Sequence, residues 1–124
     1  MGYMMLPPAE WIENEVQLGE VMQYFYNVAA AGEPIGFDTE TTGLNIAKDL
    51  PVLASFSDGR RRVAMEAEYM HHPWVKDAIL QNPGVVICGT NLKFDKHMTA
   101  NYGITIAGPM EDTLVHDWLL DENR

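Results

Sequence analysis

The chain has 124 residues, 47% hydrophobic and 21% charged, which excludes a disordered polymer and suits one domain near the lower size for a full core. Its formal net charge of −10, from 18 acidic and 8 basic residues, repels a polyanion over most of the surface. Any nucleic-acid contact must then be local and metal-assisted, or be supplied by another domain. The single Cys88, in the apolar run of residues 85–88, reads as a buried free thiol in a reducing compartment. Residues 1–8 carry no basic n-region or long apolar stretch, and position 6 is Leu6, so neither a signal peptide nor a myristoylation site is expected. No run approaches the roughly 18 apolar residues that a membrane span needs.

In chain order, residues 1–10, with Pro7 and Pro8, read as an extended lead-in. Asn14 with Gln17 three residues on forms a capping-box pattern. It opens a helix with Leu18, Val21, Met22, Phe25 and Val28 on its apolar face, ending at Gly32. The aromatics Tyr24, Phe25 and Tyr26 are expected mostly to cover a sheet. Strands follow at 35–38 and 52–57, then a hairpin at Asp58-Gly59 and a strand at 61–65. Pro73 suits the first position of a helix to about Gln81, with Trp74, Ala78 and Ile79 inward. A buried strand at 85–89 leads to Asn91, which reads as the N-cap of a helix over 92–102 that stops at Gly103. An extended link over 104–110 and a last helix over 113–120, capped by Asp112, complete the order. The pattern predicts an α/β fold: a three-stranded antiparallel meander, a parallel strand added by a crossover, and flanking helices.

The chemistry concentrates at two places. Asp38 and Glu40 stand two apart at the end of a strand, so they project to one face and repel each other. A solvated polar strand end would explain them; so would a cation between them. Asn91 and Asp95 begin the helix after the parallel strand, and a cap and a helix-dipole partner would account for both. That helix nevertheless opens at the sheet edge where Asp38 and Glu40 lie, the usual ligand side of an open α/β sheet. Three carboxylates converging there suit two Mg²⁺ or Mn²⁺ ions about 4 Å apart. Oxygen ligands favour such hard cations, and no Cys/His cluster points to zinc.

These residues carry a resemblance. Residues 37–44, Phe37-Asp38-Thr39-Glu40-Thr41-Thr42-Gly43-Leu44, are similar to the first motif of the DEDD 3′–5′ exonucleases, a ribonuclease H-like family. Asn91-Leu92-Lys93-Phe94-Asp95 is similar to their second motif. Residues 89–124, with Asn101-Tyr102-Gly103-Ile104 and Asp112-Thr113, resemble the proofreading domain of family A, polymerase I-like, DNA polymerases. The resemblance implies Asp38, Glu40 and Asp95 as catalytic metal ligands, Thr41 and Leu44 as contacts to the 3′-terminal nucleotide, with Leu44 an apolar wedge, and Asn91 as an orienting residue. It also implies metal-assisted hydrolysis of the terminal phosphodiester of single-stranded DNA, and a cytoplasmic location in a bacterium, or in its host if phage-encoded.

The family's third motif, Tyr-x-x-x-Asp or His with a later Asp, does not occur before Arg124. Asp112, Asp117, Asp121 and His116 do not form it. The expectation is therefore that residues 1–124 are the N-terminal part of an exonuclease domain, incomplete at its C-terminus. Such a chain would be weak or inactive alone, needing a polymerase domain or separate chain that carries the motif, and open to self-association through uncovered apolar surface. The competing reading is a catalytically dead nuclease-fold module that binds nucleic acid or assists polymerase assembly. Arg60-Arg61-Arg62 reads as a solvated hairpin end or a DNA-backbone contact, and Lys93 and Lys96 as phosphate contacts or plain surface. Adjacent His71 and His72 should point apart.

Overall fold

A computed structural model describes residues 8–112; the helix expected over 113–120, with His116, Asp117 and Asp121, lies outside the described residues. The described chain runs β1 (Glu10–Trp11), α1 (Glu15–Ala30), β2 (Ile35–Thr41), β3 (Pro51–Ser57) and β4 (Arg62–Glu66). A 3-10 turn (Ala67–His71) precedes α2 (Pro73–Val75), which runs on into a π-helical turn (Lys76–Leu80); then come β5 (Ile87–Gly89), α3 (Leu92–Asn101) and β6 (Met110–Asp112).

The six strands lie in the order β1-β4-β3-β2-β5-β6. The antiparallel meander β2-β3-β4 and the parallel strand β5 stand as the hydrophobic pattern predicts. Two parallel edge strands extend it: β1 pairs with β4, and β6 pairs with β5. The lead-in and the 104–110 link therefore both end in sheet. Each edge pairing is only two or three residues long, too short to leave a period-2 signature.

The core forms between α1 and one sheet face. Leu18, Val21, Met22, Phe25 and Val28 of α1 are all buried, against Ile35, Phe37, Ala54, Phe56, Val63 and Met65. Phe56 ties the layers, with ring centroids 6.1 Å from Phe25 and 5.1 Å from Phe37. At the start of α1 the Asn14 side chain accepts from Gln17 N–H at 2.9 Å. The Gln17 carboxamide closes on Glu13 N–H at 2.8 Å instead of on the cap residue, and also bonds the Trp11 carbonyl, so this cap ties β1 to α1.

Several expectations change. Of the α1 aromatics, only Phe25 is buried; Tyr24 is half-buried and Tyr26 exposed. Trp74 is 44% exposed because Val75 takes the inward position, and the indole lies over Gly19 of α1. A side chain at Gly19 would come within 2.8 Å of that ring. Cys88 is half-buried. His71 and His72 do part: His71 packs at a tilt against Tyr102, whereas His72 packs at a tilt against Trp74 and meets Glu15 at 3.0 Å. No helix among the described residues is long and apolar enough to cross a membrane.

Candidate active site

Strand β2 is central, and its burial alternates. Ile35, Phe37 and Thr39 are buried, while Asp38 and Glu40 are exposed on the opposite face. Asp38 sits opposite Ser55 and Glu40 opposite Leu53. Between Glu40 and Thr41 the β2–β3 register slips, so that Val52 is the extra residue of a bulge. Bulges increase local twist and re-aim side chains, and this one lies directly beside the acidic pair. Asp38 borders a cleft of about 290 Å³ with Gly36, Ser55, Ser57, Arg62 and Gly89. Desolvation there pushes the Asp38 carboxyl above the ordinary range, with the Glu40 charge adding to it, against a Thr39 backbone hydrogen bond and the Arg62 charge.

Strand β5 pairs with β2 only at Ile35 and Gly36, leaving the β2 edge open further along. Helix α3 fills that gap. Asp95, 2% exposed, accepts from Thr39 N–H at 3.2 Å and from the Thr39 hydroxyl at 2.5 Å. Its carboxylate thus stands in for a missing ladder partner, which the heptapeptide around Asp38 gives no way to foresee. Burial pushes Asp95 up to about 6; the Thr39 hydroxyl bond opposes this, and the nearby Asp38 and Asp112 charges reinforce it.

Asn91 is not a side-chain cap. It adopts φ 57°, ψ 46°, a left-handed conformation that Asn tolerates better than most residues, and its side chain makes no capping bond. The cap comes from Asp112 on β6, whose carboxylate accepts from Asn91 N–H at 3.1 Å and Leu92 N–H at 3.0 Å. Asp112 thus serves the start of α3; the helix it is expected to cap lies outside the described residues. The pairing of Gly89 with Asp112 in the β5–β6 ladder makes this possible, and no local sequence pattern signals it. Thr41 is half-buried with its hydroxyl on the Gly43 carbonyl at 2.6 Å, and Leu44 is 86% exposed on the next loop.

The structure therefore brings Asp38, Glu40, Thr41, Asn91 and Asp95 to one end of the sheet. It does not preassemble a metal cage: among the described residues no three carboxylate, imidazole or thiol groups stand together as a metal site. Of the hairpin arginines, Arg60 pairs with Glu33 at 2.6 Å and Asp58 at 3.2 Å. Arg61 pairs with Glu10 at 2.6 Å and Glu20 at 3.0 Å, over the Tyr24 ring. These two are spent on neighbouring carboxylates, as a solvated hairpin end requires, whereas Arg62 borders the Asp38 cleft.

A mixed sheet of this order, with helices against it and an acidic pair on its central strand, defines the ribonuclease H-like nuclease fold. The sequence matches the profile of the 3′–5′ exonuclease family over residues 9–124, and the chain belongs to that family. Among solved structures it is similar to Escherichia coli RNase D, an exoribonuclease involved in structured RNA processing (TM-score 0.66, 18% identity, 86% of this chain and 28% of that one). It is also similar to Brucella melitensis NrnC with bound Mg²⁺ (TM-score 0.60, 21% identity, 74% and 47%). A third similar structure is the EXD2 exonuclease domain soaked in Mg (TM-score 0.65, 14% identity, 91% and 60%). The chain thus spans less than two thirds of each. No curated protein sequence matches it.

Proposed function

We propose that this chain contributes the metal-binding half of a 3′–5′ exonuclease acting on the single-stranded 3′ end of DNA, and that residues 1–124 are the N-terminal part of that domain. The observation that carries this reading is the pairing of exposed Asp38 and Glu40 on one face of β2 with Asp95 directly behind the same strand end. The donor set fits a hard divalent cation: it is all oxygen, and the desolvation and Glu40 charge that raise Asp38 are what a bound cation would offset. Asp38 and Glu40 would hold Mg²⁺ or Mn²⁺, with Asp95 a further ligand if it is released from Thr39. Such an ion supplies an activated water and neutralises charge on the leaving 3′ oxygen.

The remaining work falls to the chain's own side chains. Thr41 and Leu44 receive the terminal nucleotide, Leu44 as a wedge against its base, and the Asn91 turn orients the entrance. Arg62 sits where it would offset a phosphate charge beside Asp38. The third motif would come from a downstream segment, a polymerase domain or a separate chain. Self-association would use exposed apolar side chains such as Val52 and Met110. RNA is the competing substrate, since RNase D is an exoribonuclease and NrnC has been solved with bound pGG. The engagement of Asp95 by Thr39 favours the alternative, a nuclease-fold module that binds without cleaving.

The test is the melting temperature with and without Mn²⁺. The ion should raise it in the wild type and not in Asp38→Ala; a wild type indifferent to Mn²⁺ overturns the site. A segment carrying the third motif, added in trans, should then release mononucleotides from single-stranded DNA faster than from RNA. Continued inactivity of a soluble, associated pair would favour the binding module.

A further inference from the structure

The loop between β2 and β3 is not held by its own turn residues alone. Within it, Asp49 accepts from the Thr42 hydroxyl at 3.0 Å and from Asn45 N–H at 2.7 Å, and Thr42 N–H reaches the Leu50 carbonyl at 2.9 Å. Gly43 leaves room for this carboxylate, since a side chain there would come within 2.6 Å of it. The second anchor comes from 55 residues away. The Asn101 carboxamide, in the last turn of α3, donates to the Ile46 carbonyl at 2.8 Å and the Asp49 carbonyl at 3.0 Å. Held this way, the loop displays Leu44 at 86% exposure, with Ile46 at 47% and Leu50 at 40% behind it.

Helix α3 therefore does two jobs at its two ends. Asp95 in its first turn fastens the strand that carries the acidic pair, and Asn101, about 9 Å along the axis by helical rise, fastens the loop that carries the wedge. Resting on the function proposed above, we infer that Asn101 is a positioning residue: through its two carbonyl bonds it sets Leu44 against the base of the 3′-terminal nucleotide. Both bonds need an N–H donor. Asn101→Ala removes it, and Asn101→Asp places a carboxylate against two carbonyl oxygens and should do more harm than Ala.

The experiment measures binding of the full chain to fluorescein-labelled dT10 and to the same oligonucleotide ending in an abasic sugar, with Ca²⁺ present and by anisotropy. The wild type should prefer the intact end by about tenfold, the scale of one leucine-sized apolar contact. Leu44→Ala, Asn101→Ala and Asn101→Asp should all lose that preference, Asp at least as fully as Ala, while keeping the Mn²⁺-dependent rise in melting temperature. A merely structural role for Asn101 would lower the melting temperature and leave the preference intact, which would overturn the inference alone. A wild type that answers Mn²⁺ but shows no preference also overturns only the inference. A wild type that neither binds an oligonucleotide nor answers Mn²⁺ overturns the proposed function, and the inference with it.

Discussion

Asp95 accepts both the backbone N–H and the hydroxyl of Thr39, the residue between the two exposed acids of β2. Two segments 56 residues apart are joined at a buried carboxylate, so the alignment of the two motifs is a stability question as well as a functional one. A strand edge whose pairing partner has ended must find another acceptor, and Asp95 is it.

The sign of the pH dependence follows. In the folded chain Asp95 is raised to about 6, above its unfolded value, so the folded state holds the proton more tightly. Its contribution to stability is whole below about pH 4 and is lost as the pH rises through about 6, on the order of 3 kcal/mol in all. Asp38 is shifted in the same direction. Asp58, brought down to about 2 by Tyr24 and backbone bonds that outweigh its burial, acts oppositely and only in more acid solution. Urea midpoints in chelator-containing buffer should fall from pH 4.5 to 7, and Asp95→Asn should remove most of the slope.

Asp112→Ala should fray the start of α3. It strips the acceptors from Asn91 and Leu92 N–H, a loss of about 1–2 kcal/mol by capping standards. Hydrogen exchange at these two amides should quicken before that of Met98 or Thr99. Asp112→Asn keeps one acceptor oxygen and should lose about half as much. Unchanged exchange at Leu92 in the Ala variant would show that the cap is dispensable.

Asn91 separates backbone from side-chain roles. Its left-handed φ suits Gly, so Asn91→Gly should leave the melting temperature nearly unchanged, whereas Asn91→Ala should lose about 1 kcal/mol to strain. If the carboxamide orients substrate, the Gly variant will fold normally and still bind oligonucleotide more weakly. Equal binding by wild type and Asn91→Gly would confine Asn91 to the turn.

Gly19→Ala tests the packing of Trp74 away from the site. The added methyl meets the outer edge of the 44% exposed indole at 2.8 Å, so the ring must move, and the helix-propensity gain of about 0.5–1 kcal/mol offsets the cost. Trp74 fluorescence should shift while the Mn²⁺ response stays as in the wild type.

Much of this was legible in the chain because it is written in local periodicity. The five buried positions of α1, the Asp58-Gly59 hairpin and the alternation that puts Asp38 and Glu40 on one face all follow from periods of 3.6 and 2. Strands β1 and β6 are too short to carry a period, and Trp74 reads as inward because sequence alone cannot reveal the room left over Gly19.

Membership in the exonuclease family was thus determined by the sequence itself, which also sets the proposed metal ligands Asp38, Glu40 and Asp95 in two local segments. Which groups hold those segments in place was decided only by tertiary structure. Asp112 caps a helix that begins 20 residues earlier, Thr39 takes Asp95, and Asn101 anchors the Leu44 loop. Each of these is a hydrogen bond between a side chain and a segment far away in sequence, and its geometry exists only once the sheet has set the strand ends side by side.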